Sequence, residues 1–184
     1  MPRSSGAVTV DEFARLPDDD FKYELVSGVV HRMSPVGALH GRVVVRLAAA
    51  LNAWAEKHQA GAVMTETGFV LVTNPDTVRA PDISFVRRER VATGGVPVGF
   101  WQGAPDLAVE VLSPDDGPRD IVVKVREYLT HGVPLVWVID PAARTVTVHS
   151  SAQPLTLTSE QLLEGDVFLT GFEVPVSGLF PKDV

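Results

Sequence analysis

The chain has 184 residues, 45% of them hydrophobic and 21% charged, so we expect one globular domain over residues 1–184 with its core at about 9–180. This composition excludes a disordered chain, a collagen-like fibre and a coiled coil. The net charge of −7 excludes a generic basic coat protein, and the absence of cysteine excludes disulfides, thiolate nucleophiles and cysteine-ligated metal centres.

The N-terminal segment Met1–Val10 has no apolar core of the kind that makes a signal peptide. The most apolar stretch, Val43–Ala55, is interrupted by Arg46 and Asn52 and is too short to span a bilayer. We therefore expect a soluble, cytoplasmic protein with no membrane partner.

The first third of the chain predicts a short helix, a hairpin and a long helix. Thr9 and Glu12 fit a capping box, which predicts a helix that runs to about Leu16. The acidic run Asp18–Asp20 is expected to be a solvated turn, since no calcium-loop pattern follows it. Two β-prone runs around Ser27-Gly28 then predict the hairpin, and apolar spacing predicts the helix. The ranges are Phe21–Val26, Val29–Met33 and His40–His58.

The rest of the chain predicts several strands and a second long helix. Pro118 at a first helical position and Gly132 just past the end bracket that helix. The segment Thr93–Gly103 is rich in glycine and proline and is expected to be a mobile loop. The predicted strands are Ala62–Thr73, Ile83–Val86, Leu107–Leu112, Pro134–Ile139 and Arg144–His149, followed by short strands and turns over Leu155–Phe180. This order predicts a mixed α/β domain around a central sheet.

Glu110 interrupts the otherwise apolar strand Leu107–Leu112. Because strand side chains alternate, Ala108, Glu110 and Leu112 are expected on the face opposite to Leu107 and Val109. A buried carboxylate costs several kcal/mol unless a partner compensates it, and a cation is the simplest partner. The alternative is an edge strand with Glu110 exposed or paired to an arginine.

Asp82 enters the predicted strand Ile83–Val86 directly after Pro81. A Pro-Asp pair is also common in turns, which is the alternative interpretation. If this strand neighbours the Glu110 strand, the two carboxylates can converge. Two carboxylates with waters and a substrate phosphate are a usual way to hold Mg²⁺.

Lys124 lies in the middle of the second long helix, on a polar stripe with Asp120, Tyr128 and His131. A helix that packs back across the preceding strand could direct Lys124 towards Glu110. There a lysine could orient or deprotonate a water, or neutralise charge that develops on phosphorus. The alternative is a surface lysine paired with Asp120.

Several common catalytic signatures are absent from this sequence. It has no phosphate-binding loop with Lys-Ser/Thr, no G-x-S-x-G motif and no H-E-x-x-H helix. The five histidines have no metal-ligand spacing, and only His40, at the start of a long helix beside Gly41, is a candidate for facing a site.

The motifs that occur in order resemble one known family. They are Tyr23-Glu24-Leu25-Val26-Ser27-Gly28, Ser34-Pro35 with His40-Gly41, Pro81-Asp82-Ile83, the run from Pro105 to Pro114 with Glu-Val-Leu-Ser-Pro at its end, Asp120 with Lys124 and Tyr128, and Val136-Trp137-Val138-Ile139-Asp140-Pro141. They resemble the putative restriction endonuclease (Uma-type) family of the PD-(D/E)XK nuclease superfamily. The resemblance covers the chain from about Thr9 to Phe180.

This resemblance implies a restriction-endonuclease-like α/β fold, with a central mixed sheet flanked by helices and additional β-hairpins. It implies Asp82 and Glu110 as ligands of Mg²⁺, with Mn²⁺ as a substitute. Lys124 would be a displaced form of the signature lysine, whose usual position two residues after the acid is Leu112 here. Glu24 and His40 match an acid and a histidine of the family.

Two hypotheses for function follow from these residues, and a third is weaker. The first is a metal-dependent DNA endonuclease, by analogy a homodimer, with phosphate contacts from Arg42, Arg46, Arg87, Arg88 and Arg119. The second is a non-catalytic nuclease-fold binding or regulatory module, which the net charge and Leu112 favour. A glycosidase with paired carboxylates would need aromatic platforms, and the chain has only Trp54, Trp101 and Trp137.

Overall fold

The computed structural model describes residues 6–17, 21–114 and 116–181, which contain five helices and thirteen strands. The helices are α1 (Val10–Phe13), α2 (Ala38–His58), α3 (Arg88–Gly94), α4 (Pro118–Thr130) and α5 (Val176–Leu179). The strands are β1 (Lys22–Val26), β2 (Val29–Met33), β3 (Gly61–Thr65), β4 (Phe69–Val72), β5 (Thr77–Arg79), β6 (Ile83–Arg87), β7 (Trp101–Gln102), β8 (Leu107–Val111), β9 (Val136–Asp140), β10 (Thr145–His149), β11 (Leu155–Leu157), β12 (Leu162–Glu164) and β13 (Glu173–Pro175).

The central sheet has six strands in the order β11-β10-β9-β8-β6-β3. Strands β8 and β9 are parallel and the other pairs are antiparallel, so the sheet is mixed, as predicted. Helix α4 makes the connection that a parallel pair requires. A second sheet, in the order β2-β1-β5-β4-β7, contains the predicted hairpin β1–β2. Ser27 and Gly28 both have positive φ in its turn, as a type I′ connection requires.

The central sheet lies between two helices. Leu107, Val109 and Val111 of β8 pack in the cluster that contains the apolar stripe of α2, whereas Ala108 packs with Val125 of α4. The predicted alternation along β8 is therefore confirmed. This alternation turns Glu110 towards α4, since it shares a face with Ala108.

Two predicted segments differ from the structure in their details. The predicted strand Ala62–Thr73 is divided into β3 and β4, which belong to different sheets. The predicted loop Thr93–Gly103 begins inside α3 and includes β7, where Trp101 is buried and stacks on Phe69. That stacking fixes Trp101, near the end of a segment for which glycine and proline content alone indicated mobility.

The beginning of the described chain agrees with its predicted cap. Thr9 Oγ1 accepts from Glu12 N at 3.2 Å, and Glu12 Oε2 accepts from Thr9 N at 2.8 Å, so the capping box is confirmed. The helix itself ends at Phe13, earlier than expected. The acidic run Asp18–Asp20 lies outside the described residues. Among the described helices, none combines the length and the apolar character needed to cross a membrane.

Candidate active site

Asp82 and Glu110 lie on neighbouring strands of the central sheet. Strands β6 and β8 are antiparallel with Ile83 opposite Val109, and the continuation of that register places Asp82 opposite Glu110. Both residues are about 95% buried, and β8 is an interior strand, so the edge-strand alternative for Glu110 is wrong. The two carboxylates were expected to converge if their strands are neighbours, and the strands are neighbours.

Asp82 is held by three hydrogen-bond donors. Its Oδ2 is 3.1 Å from His40 Nε2 and 2.8 Å from Val111 N, and its Oδ1 is 3.3 Å from Lys22 Nζ. Burial opposes ionisation of the carboxyl group. The hydrogen bond from His40, the charge of Lys22 and the Val111 N–H outweigh it and lower the pKa of Asp82 to about 2. The carboxylate is therefore ionised at neutral pH.

Glu110 and Lys124 form a buried pair next to Asp82. Lys124 Nζ donates to Glu110 Oε2 at 2.9 Å, and Tyr128 OH donates to Glu110 Oε1 at 2.7 Å. Burial raises the pKa of Glu110, and the charges of Asp82 and Glu24 add to this although Lys124 opposes it. Lys124 thus pairs with Glu110, and the alternative of a surface lysine paired with Asp120 is wrong.

Lys124 remains a protonated ammonium in this cluster. Burial disfavours its charge, but the carboxylates of Glu110 and Glu24 outweigh burial and raise its pKa. The Nζ atom lies 3.4 Å from Glu24 Oε1, so Glu24 also belongs to the cluster. The residues expected at the site, Glu24, His40, Asp82, Glu110 and Lys124, are all brought together.

A second buried ion-pair network supports Glu24. Arg79 Nη1 donates to Glu24 Oε2 at 2.7 Å, and Arg79 Nε donates to Glu127. The backbone N–H of Ala80 donates to Glu24 Oε1 at 3.1 Å. Burial opposes ionisation of Glu24, but Lys124 and Arg79 outweigh it and lower its pKa.

Three charged residues of this cluster, Lys22, Arg79 and Glu127, were not predicted from the sequence. Strand alternation could have found Lys22, because it shares a face of β1 with Glu24. Helical spacing could have found Glu127, which lies three residues after Lys124 on the same stripe. Arg79 belongs to a strand of three residues, which is too short to give a periodic signal.

A cavity of about 480 Å³ opens onto this cluster, with Glu24, Arg79, Glu110 and Lys124 among its lining residues. The exposed residues with ionisable side chains that line it are His31, Asp116 and Asp120, so its mouth is not a basic surface. Three of the arginines expected to contact phosphate have partners within the chain. Arg46 bonds the carbonyl oxygens of Gly178 and Phe180, Arg87 bonds Asp106, and Arg88 bonds Gln59.

The donor set at Asp82 and Glu110 fits Mg²⁺ in its chemistry. Mg²⁺ takes oxygen ligands and is commonly held by one or two carboxylates together with waters and substrate phosphate. Both carboxylates, however, have basic partners in this structure. In the part of the chain that the structure describes, no group of three or more histidine or acidic side chains is arranged to hold a metal ion.

The mixed sheet, the helix that connects its parallel pair and the acids at adjoining strand ends define a restriction-endonuclease-like protein. The chain belongs to the Uma2 family, described as putative restriction endonuclease, whose sequence profile matches residues 10–177. The family predicted from the sequence motifs is confirmed.

The fold also matches a solved structure. It is similar to the crystal structure of a putative nuclease belonging to DUF820 from Anabaena variabilis ATCC 29413, with a TM-score of 0.82. The match has 23% sequence identity and covers 94% of this chain and 97% of that one. A comparison with curated proteins gave no significant match.

Replacing Asp82 with asparagine is expected to destabilise the protein by about 2 kcal/mol at pH 7. An acid whose pKa is lowered by folding contributes stability above its unfolded-state pKa and loses it as the pH falls through the folded-state value. For Asp82 these values are 3.8 and about 2. The difference in unfolding free energy between wild type and variant should therefore shrink as the pH falls from about 5 towards 2.

Urea unfolding at a series of pH values measures this difference. The exposed acid Glu173 provides a control, because Glu173→Gln should change the unfolding free energy little at any of these pH values. A difference between wild type and Asp82→Asn that stays constant over the acid range would show that the ion pairs of Asp82 do not stabilise the folded state.

Proposed function

We propose that the protein is a metal-dependent endonuclease that hydrolyses phosphodiester bonds in DNA. Asp82 and Glu110 would hold Mg²⁺, for which Mn²⁺ could substitute, and Lys124 would assist the reaction at phosphorus. The observation that carries the proposal is the meeting of two buried carboxylates from adjoining strands with a buried lysine from the next helix. Membership of the Uma2 family supports the same chemistry.

Hydrolysis joins the oxygen of a water molecule to phosphorus and breaks the bond to the leaving ester oxygen. The attacking water gives up one proton to the solvent, and the leaving oxygen takes up another. A divalent cation at Asp82 and Glu110 would lower the pKa of a water and polarise the phosphate. Lys124 has a raised pKa, so it suits a hydrogen-bond donor and not a general base. Its ammonium would donate to the phosphate oxygen on which negative charge grows in the transition state.

The neighbouring residues would position these groups. Tyr128 OH fixes one oxygen of Glu110, and its pKa is raised well above the usual value by burial and by the charge of Glu110, so it stays a donor. His40 fixes one oxygen of Asp82, and His40 Nδ1 has no hydrogen-bond partner among the described residues. Glu24, held by Arg79, would keep Lys124 charged when a substrate phosphate competes for it.

Mg²⁺ or Mn²⁺ is expected to raise the thermal unfolding midpoint of the wild type. A ligand at about 100 times its Kd stabilises the folded state by about 2.7 kcal/mol, or roughly 5–10 °C for a chain of this size. Glu110→Gln should lose this shift while its metal-free stability stays unchanged or increases, because Lys124 keeps Glu24 as a partner and carboxylate repulsion is removed. Differential scanning calorimetry with and without metal measures both quantities.

Asp82→Asn should lose the metal shift as well, whereas Glu173→Gln, outside the cluster, should keep it. An identical shift in wild type and Asp82→Asn would place the metal elsewhere. A Glu110→Gln protein that does not fold would make Glu110 a structural ion-pair partner, and the assignment of a metal site would fail.

A non-catalytic binding module is the second candidate, and two observations favour it. Asp82 and Glu110 both have basic partners already, and the exposed charged lining of the cavity includes two aspartates. A module of this kind would have a binding or regulatory role and would not cleave a nucleic acid. Incubation of the wild type with Mn²⁺ and plasmid, single-stranded DNA or RNA separates the two functions, since only the endonuclease produces cut strands.

A further inference from the structure

A second, larger groove begins at Lys22 and has a volume of about 850 Å³. Four aromatic side chains, from Phe13, Phe21, Tyr23 and Phe100, line it. This volume lies within the range of about 300–1,000 Å³ that is usual for small-molecule sites, which are also lined mainly by apolar and aromatic groups. The groove therefore has the size and the lining of a site for a flat, aromatic ligand.

The aromatic wall of this groove is fixed by its neighbours. The rings of Phe13 and Phe100 stack with their centroids 5.5 Å apart. Gly68 packs against the same ring, and a Cβ atom at this position would lie only 2.5 Å from Phe100 Cδ1. Phe100 thus keeps its position without a bound ligand, which lowers the entropic cost of stacking against it.

The groove and the carboxylate cluster share a wall. Lys22 lines the groove, and its ammonium lies 3.3 Å from Asp82 Oδ1. Ala80 also lines the groove, and its N–H donates to Glu24. A nucleotide whose phosphate reaches Asp82 could therefore extend its base past Lys22 into the groove.

We propose that this groove binds an unpaired nucleobase of the DNA strand whose phosphate enters the carboxylate site. The inference rests on the proposed function and deepens it, because it makes an unstacked or single-stranded segment the preferred substrate. Bases stack readily on aromatic side chains, whereas a paired base inside a duplex is already stacked between its neighbours and must leave the helix before it can enter a protein groove.

The polar and charged groups of the groove also suit a nucleotide. Glu66 and Ser34 line it and offer hydrogen bonds to the edge of a base. The guanidinium carbon of Arg32 lies 3.1 Å from the centroid of the Phe21 ring, which lines the groove, so a positive charge lies beside this wall where a backbone phosphate would pass. A purely apolar occupant, such as the face of an amphipathic helix, would leave these polar groups without partners.

One exposed apolar side chain lines the groove. It is Val36, which is 49% exposed. Proteins that unstack nucleic acids use apolar side chains of this kind as wedges between base steps. Val36 would hold open the strand from which a base is extruded.

Fluorescence anisotropy measures the binding of a short labelled DNA strand to the full chain. The measurement is made at low salt, in EDTA so that metal-dependent cleavage cannot occur. The comparison strand is abasic, so that it has the same phosphates without the bases. The wild type should bind the normal strand about 5- to 150-fold more tightly than the abasic strand. A 2-aminopurine in the strand should also lose fluorescence on binding, because stacking quenches it.

Phe100→Leu should reduce the preference for the normal strand several-fold, because leucine keeps the apolar volume but cannot stack. Phe100→Trp should retain the preference, and Phe168→Leu, the same change outside the groove, should have no effect. Thermal unfolding of each variant confirms that it is folded before its binding is compared.

Equal binding of the normal and abasic strands, or a Phe100→Leu variant with the full preference, would overturn the proposal. So would a dimeric wild type that becomes monomeric on Phe100→Leu, because the groove would then hold a second copy of the chain. If the wild type cleaves DNA but its binding does not depend on the bases, the groove is not a nucleobase site, although the endonuclease proposal stands. If binding depends on the bases but no substrate is cleaved, the groove is a nucleobase site and the endonuclease proposal fails.

Discussion

Replacing Lys124 with alanine is expected to lower the rate of Mn²⁺-dependent DNA cleavage by about 10²–10³-fold while metal binding persists. Lys124 is the basic residue whose ammonium contacts Glu110 directly, at 2.9 Å, and Leu112 at the usual lysine position has no charge to contribute. Its removal takes away a donor to the transition state but leaves both carboxylates. Plasmid nicking under single-turnover conditions measures the rate, and calorimetry measures metal binding.

Lys124→Arg should restore only part of the rate, because a planar guanidinium cannot replace a compact ammonium in a buried site. Lys57 in the last turn of α2 is an exposed lysine, and Lys57→Ala should cleave as fast as the wild type. A Lys124→Ala protein that cleaves as well as the wild type would contradict the role given to this residue.

Replacing Arg79 with methionine is expected to destabilise the protein by about 3–5 kcal/mol, the usual cost of breaking a buried ion pair on one side. The side chain of Glu24 is 1% exposed and that of Glu127 is 14% exposed, so both carboxylates would remain in a poorly solvated environment without their shared partner. Lys124 would still compensate Glu24 in part. Chemical denaturation of wild type and variant gives the difference in unfolding free energy.

The double variant Arg79→Met with Glu24→Gln should recover part of the lost stability, because the uncompensated buried charge is then removed. Arg126, an exposed arginine of α4, provides the matched control, and Arg126→Met should change the unfolding free energy by less than about 0.5 kcal/mol. A similarly small effect of Arg79→Met would mean that Glu24 and Glu127 are solvated in the folded protein.

The strands and helices next to the site could be predicted because their patterns are local. The alternation of β8 turned Glu110 to the face of α4, and helical spacing placed Lys124 and Tyr128 on one stripe, so their contacts to Glu110 follow from periodicity. From spacing alone, Asp82 and Glu110 could meet only if their two strands are neighbours. The resemblance to the family then implied that the two acids belong to one site.

Other features depend on contacts between segments that are distant in the chain. Trp101 is ordered by Phe69 of another strand, and Arg79 joins acids from β1 and α4. No local pattern reports such partners, since each contact forms only when the two sheets and the helix pack together. The aromatic groove is of the same kind, because Phe13, Phe21 and Phe100 come from three separate segments.

If Asp82 and Glu110 together hold a divalent metal ion, the anomalous scattering of manganese from a crystal soaked in Mn²⁺ will locate it. We expect an anomalous peak bound by both carboxylates, with the ammonium groups of Lys22 and Lys124 displaced from the contacts that they make without metal. The same soak of Glu110→Gln should show no peak. A wild-type crystal in which Lys22 and Lys124 keep these contacts and no peak lies at the two carboxylates would contradict this expectation.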